Sequence, residues 1–281
     1  MISARRAAAQ AVLAVMAVAC DPSVAQPPRP AALPDAAGTR RASEPPRPAP
    51  TSKDRNTPPT ASASPPTLPE GVEPGVLSQV PVPGDRPLYV VHGVASTRRA
   101  LVYLHGVCGD VTAVRSWTLP VSRHGTLIAL LGDKRCDVPN RYRWDDSTAE
   151  LDARIDRAVG VVAQARNGLL DSSELAVLGY SQGATRAAVL VRQFPEKYRW
   201  VLLAGVPVEP RLDHVGSARS VAVVGGQRDG TTHMKRGVAR LVAAGKRAEF
   251  FELPDAGHGE YGPDGARVMG EALAFLFSVP E

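Results

Sequence analysis

The stretch Val177-Leu178-Gly179-Tyr180-Ser181-Gln182-Gly183-Ala184 decides how the rest of the chain reads. A short apolar run over residues 175–178 stops at a Gly-x-Ser-x-Gly sequence, and helix-forming residues 184–193 follow at once. Strand, serine and helix in that order form the pattern that presents a nucleophile on a sharp turn. Gly179 and Gly183 fit it, because a side chain at either place would collide with the neighbouring strand or helix in so tight a bend. The turn pushes the Ser181 hydroxyl out above the sheet. It also leaves the backbone N–H of Gln182, at the positive end of the helix, free to hold an oxyanion. A pattern with two glycines also arises by chance in an Ala/Gly-rich chain, so its context has to carry the weight.

That context is an alternation of strands and helices from residue 71 onward, which predicts a mostly parallel, doubly wound sheet with helices on both faces. Residues 76–82 and 88–94 read as leading antiparallel strands around Pro83-Gly84-Asp85. Further strands are expected over 101–104, 126–131, 200–205, 220–225 and 247–253. Helices are expected over 110–123, 147–166, 231–244 and 266–277. The helix at 147–166 carries apolar residues at Leu151, Ile155, Ala158, Val159 and Val162, with Ser147 or Thr148 as its N-cap. Residues 136–146 read as an irregular polar loop in which Tyr142 and Trp144 either line a pocket or pack the loop. About fifteen residues separate the strands at 200–205 and 220–225, which leaves no room there for a large cap domain.

A serine hydroxyl needs a base to take its proton, and the base needs a carboxylate to fix its tautomer. His258 lies in Asp255-Ala256-Gly257-His258-Gly259, between the last strand and the last helix. A flexible loop there can bring an imidazole over Ser181, whereas His92, His105, His124, His214 and His233 lie outside the expected position. The carboxylate should follow the penultimate strand, which selects Asp229 in Gly226-Gln227-Arg228-Asp229-Gly230; Asp213, after the preceding strand, is the alternative. Asp255 is too near His258 in sequence to orient it easily. The second oxyanion donor should come from the loop after residue 104, where the N–H of Val107 follows His105-Gly106. His105 is expected to orient that loop rather than to act as a base.

Four motifs in order, Leu104-His105-Gly106-Val107-Cys108-Gly109-Asp110, Gly179-Tyr180-Ser181-Gln182-Gly183, Gly225-Gly226-Gln227-Arg228-Asp229 and Gly257-His258-Gly259, resemble those of the α/β-hydrolase fold. The likeness covers residues 71–281 and is greatest to the carboxylesterase/phospholipase and dienelactone-hydrolase branches. It implies about eight strands, Ser181 as nucleophile, His258 as base, Asp229 as acid, and Val107 and Gln182 as oxyanion donors. It further implies a small-molecule ester as substrate and no cofactor; a monomer is expected, though the sequence does not set the oligomeric state. Peptidase or amidase activity on the same fold, and a non-catalytic binding protein on this scaffold, are the alternatives. The chain departs from the pattern at Gly225-Gly226, where His-Gly is common, and in its cysteines.

Residues 1–25 read as a signal peptide, with Arg5 and Arg6 before an apolar run too short to span a bilayer. The run ends either at Ser23-Val24-Ala25, a cleavage-like site, or at Ala17-Val18-Ala19-Cys20, a degenerate lipobox that makes Cys20 a candidate for lipidation. An exported protein follows, periplasmic, secreted or tethered to a bacterial membrane through Cys20. Residues 26–70 are expected to be a disordered linker. The first seventy residues hold no aromatic residue and more than half of the 26 prolines, too little apolar surface to offset chain entropy. They also hold eight Lys/Arg and five Asp/Glu of the +5 chain, leaving only +2 for the remainder, with no basic stripe for nucleic acid. Cys108 and Cys136 each follow a predicted strand, and in an exported protein such a pair suggests a disulfide across one rim of the sheet, with a free thiol pair or a metal site as the alternatives. No Cys/His cluster with ligand spacing accompanies them, so no metal site is expected.

Overall fold

The structure is a computed structural model, and it describes residues 67–278. The expectations for residues 1–25, including Cys20, and for most of the 26–70 segment lie outside the described residues. The rest of the chain forms an eight-stranded sheet whose strands run β1 (Leu77–Val80), β2 (Leu88–Val91), β4 (Thr126–Leu130), β3 (Arg99–Leu104), β7 (Asp171–Tyr180), β8 (Tyr198–Ala204), β9 (Ser220–Gly226) and β10 (Ala248–Leu253) from edge to edge. β1 and β2 are antiparallel to their neighbours; the six strands from β4 to β10 are parallel. The expected architecture and strand number are both observed.

The central segments of the parallel strands are apolar because both of their faces are covered. Along β3, Ala100, Val102 and Leu104 pack on one side and Leu101 and Tyr103 on the other, as the two-residue period of a strand requires. The first side is roofed by α2 (Thr148–Ala165), α3 (Gln182–Gln193) and α5 (Thr232–Ala243), through residues such as Ile155, Leu190 and Val238. The second is roofed by α1 (Thr118–Ser122) and α6 (Gly265–Phe277), through Val121, Leu273 and Leu276. The connection from β8 to β9 contains only the four-residue α4 (Leu212–Val215), so no cap domain is inserted there.

Several local expectations change. The single helix expected over 110–123 is a 3-10 turn, Thr112–Trp117, followed by α1. Trp117 leaves helical geometry at φ −133°, and Pro120 supplies no N–H to continue the ladder. The loop at 136–146 is not wholly irregular. It carries a two-residue ribbon of β5 (Lys134–Arg135) and β6 (Tyr142–Arg143), turned by Asn140 at φ +58°. Ser147 caps α2 in a full capping box with Glu150.

One buried ion-pair network joins the antiparallel edge to α2. Arg154 donates to both carboxylate oxygens of Asp85 at 2.8 and 2.9 Å, to Asp146 at 3.0 Å and to the Leu131 carbonyl at 2.9 Å. Burial acts to raise the Asp85 pKa, but the Arg154 hydrogen bonds prevail and hold it below the ordinary carboxylate range. Arg154→Ala leaves two partly buried carboxylates without their main partner. It is expected to lower the unfolding free energy by about 3 kcal/mol, measured as a shift of the urea midpoint at constant slope; a loss under about 1 kcal/mol, the range of surface pairs, contradicts this account.

Candidate active site

Ser181 sits between β7 and α3 with φ +50° and ψ −112°, a conformation that costs about 1–3 kcal/mol and persists only where its surroundings impose it. Here they do. A Cβ on Gly183 would run into the Leu104 carbonyl oxygen, and one on Gly179 into the Gly183 carbonyl oxygen. Ser181 N–H donates to the Ala204 carbonyl of β8 at 2.9 Å, and its own carbonyl receives Ala184 N–H at 3.0 Å. The turn is thus welded to strands on both sides and to the helix it starts.

The hydroxyl faces His258, whose Nε2 lies 3.1 Å from Ser181 Oγ. The other ring nitrogen, Nδ1, lies 3.0 and 2.9 Å from the two carboxylate oxygens of Asp229. A carboxylate accepts only, so Nδ1 carries the proton and Nε2 is left to accept from the serine. Asp213, the alternative acid, is exposed and pairs with Arg211 instead, at 2.9 Å. The Asp255 side chain is not part of the row.

The loops bearing the acid and the base are fastened to one another. Arg228 N–H donates to the Ala256 carbonyl at 2.9 Å, Asp255 N–H to Gln227 Oε1 at 3.1 Å, and Glu260 takes both Gly257 N–H at 2.7 Å and Arg228 Nη2 at 2.8 Å. Beneath them, the Tyr180 hydroxyl accepts the Gly259 N–H, and its ring packs 5.4 Å from the imidazole. Burial, chiefly, keeps the Tyr180 phenol above its ordinary pKa and therefore neutral.

The N–H groups of Val107 and Gln182 have no acceptor among the described residues; Gln182 follows Ser181 directly, and Val107 lines the same cleft as Ser181. The loop that carries Val107 is held from behind. His105 is almost wholly buried; Nδ1–H donates to the Gly106 carbonyl at 2.7 Å, and Nε2 accepts Gly132 N–H at 2.9 Å. Trp144 donates its indole N–H to the His105 carbonyl at 2.7 Å. Gln182 turns its side chain away from the cleft to exchange two 3.1 Å hydrogen bonds with the Trp144 backbone. Trp144 and Tyr142 are both buried, so they pack the loop. Cys108, at φ +47°, is bonded to Cys136. The disulfide therefore ties the Val107 loop to the β5–β6 ribbon. The cleft over Ser181 measures about 420 Å³ and is lined by Gly106, Val107, Asp110, Arg141 and three tyrosines, Tyr103, Tyr180 and Tyr261. Among the described residues no group of three metal-ligating side chains occurs.

No family model and no curated protein matches this sequence. Solved structures match its shape. A protein named a predicted CIB-like hydrolase from Thermoplasma acidophilum is similar with a TM-score of 0.50 at 15% identity, over 72% of this chain and 97% of that one. The chain has the α/β-hydrolase fold. An uncharacterized protein from Bacillus cereus ATCC 10987 is similar with a TM-score of 0.52 at 17% identity, over 64% and 59% of the two chains. A Bacillus cereus carboxylesterase aligns over 68% and 94% at 17% identity, with a TM-score of 0.46. The Asp229–His258–Ser181 arrangement is suited to nucleophilic chemistry at a carbonyl. It can deprotonate a serine toward a carbonyl carbon and accept the resulting oxyanion on two backbone N–H groups.

Two outcomes follow from these contacts. Tyr180→Phe removes the acceptor of Gly259 N–H, so amide hydrogen exchange at Gly259 is expected to quicken while the α3 core stays protected; unchanged exchange at Gly259 contradicts the tether. His92, His105 and His124 are each held below the ordinary histidine value of about 6.5 by burial. The unfolded chain then binds more protons below that pH, and stability falls as pH drops through it. Thermal midpoints measured from pH 7 to pH 5 should decline; a flat profile contradicts the assignment.

Proposed function

We propose that this protein is a serine hydrolase that cleaves short-chain carboxylic esters through an acyl-enzyme. The observation that carries the reading is the hydrogen-bonded row from Asp229 through His258 to Ser181, with two unpaired backbone N–H groups beside the hydroxyl. His258 takes the serine proton as Oγ attacks the ester carbonyl, and Asp229 stabilises the imidazolium that forms. The oxyanion rests on Val107 N–H and Gln182 N–H. His258 then gives its proton to the leaving alcohol, and a water activated by the same ring releases the acid. The partly polar cleft and the lack of an inserted cap between β8 and β9 favour short acyl groups in an open site. Amide cleavage would use the same steps, but nothing in the cleft favours it.

The reading places the protein outside the cytoplasm. Support comes from the basic-then-apolar start of the chain and from the Cys108–Cys136 disulfide, a bond that persists in oxidising compartments. Modification of Cys20 would make the proline-rich segment a tether to a membrane.

The test is a 4-nitrophenyl ester series from acetate to palmitate, run on the protein and on Ser181→Ala. Acetate and butyrate are expected to be hydrolysed with kcat/KM well above palmitate, and the variant should lose on the order of 10⁴-fold or more. Palmitate far exceeding butyrate contradicts the short-chain reading, and an active Ser181→Ala contradicts the nucleophile.

A further inference from the structure

We propose that Arg141 is a specificity-determining residue that binds a carboxylate carried by the ester, so that the preferred substrates are half-esters of dicarboxylic acids or similar acidic esters. The inference rests on the ester-hydrolase reading and deepens it. Arg141 is the only Lys or Arg among the residues that line the cleft over Ser181. Its Nη1 is bound to Asp110 Oδ2 at 2.7 Å, and 43% of its side chain remains exposed. Among the described residues, Nε and Nη2 have no acceptor. A guanidinium held at one corner on the cleft wall, with Nε and Nη2 unpaired among the described residues, has donors left for the two oxygens of a carboxylate.

Asp110 is not a competing substrate ligand, because its oxygens are already used. Oδ1 takes Thr112 N–H at 2.8 Å and Thr112 Oγ1–H at 2.6 Å, while Oδ2 holds Arg141. Asp110 therefore positions the cation without offering a free acceptor. The Arg141 backbone is fixed as well: its carbonyl accepts Cys136 N–H at 2.9 Å, and its N–H donates to the Val138 carbonyl at 3.2 Å. The next residue, Tyr142, donates to the Gly109 carbonyl at 3.1 Å, and Cys136 is bonded to Cys108. The same two loops thus set both the Val107 N–H and the guanidinium before substrate arrives, which reduces the entropy lost on binding. An aliphatic chain laid across this wall would cover the unpaired Arg141 donors without pairing them, which is costly.

The test compares 4-nitrophenyl hemiglutarate with 4-nitrophenyl pentanoate, of the same chain length, after subtraction of spontaneous hydrolysis. The wild-type protein is expected to favour the acidic ester. R141Q should lower the ratio of the two kcat/KM values by about tenfold to a hundredfold, the span of a hydrogen bond to a charged group, and R141K by less. Competition supplies a second measurement that needs no variant: free glutarate should inhibit pentanoate hydrolysis, and neutral glutaramide should not. Pentanoate turnover with no preference for the acidic ester, an unchanged ratio in R141Q, or equal inhibition by the two compounds overturns the role of Arg141 alone. Failure of the wild-type protein to hydrolyse either ester overturns the hydrolase reading and the Arg141 proposal with it.

Discussion

The close approach of Gly183 to the end of β3 is the constraint on which the site depends. The first turn of α3 can begin against the Leu104 and His105 carbonyls only because no Cβ intervenes at Gly183. That contact fixes where the helix starts, and hence where Gln182 N–H points. It also holds Ser181 in a backbone conformation that an unsupported serine would leave. Because β3 carries the Val107 loop directly after Leu104, one crossing sets how Ser181, Gln182 and Val107 stand relative to one another. A larger residue at Gly183 would move all three together.

Around this crossing the protein spends much of its polar bonding on holding loops still. His105, Trp144 and Gln182 form a buried chain that supports the Val107 loop from below, and the disulfide supports it from the side. On the opposite wall, Arg228, Glu260 and Tyr180 bind the acid loop to the base loop. The effect is to hold these loops in one arrangement, as preorganisation of the proposed site requires. Val107, Ser181, Asp229 and His258, on loops after β3, β7, β9 and β10, meet because parallel strands deliver all their carboxyl ends to one rim.

Much of this could be read in the sequence, for reasons that are local. Apolar runs bounded by glycine gave the parallel strands, and the Gly-x-Ser-x-Gly turn fixed the order in which base and acid should follow. Ser181, His258 and Asp229 are brought together as that order requires. The break of the 110–123 helix escaped notice because Trp117 is turned into the core, a tertiary effect, although Pro120 was a visible warning. The polar start of β7, Asp171-Ser172-Ser173-Glu174, lacks apolar alternation because it projects past the sheet body, where the register with β3 shifts. The contacts of Tyr180, Glu260 and Arg141 leave no mark in the sequence. Their roles come from partners dozens of residues away or across a turn, and no spacing rule encodes such contacts. Trp144 and Tyr142 were undecided between pocket and packing; burial decides for packing.

The central claim is that the fold activates Ser181 as a nucleophile. Its most direct test is treatment of the folded protein with a fluorophosphonate probe, followed by mass mapping of the labelled peptide. The account predicts a single adduct on Ser181 that is absent from Ser181→Ala and slowed when His258 is replaced. A folded protein that takes no label at Ser181 would contradict it.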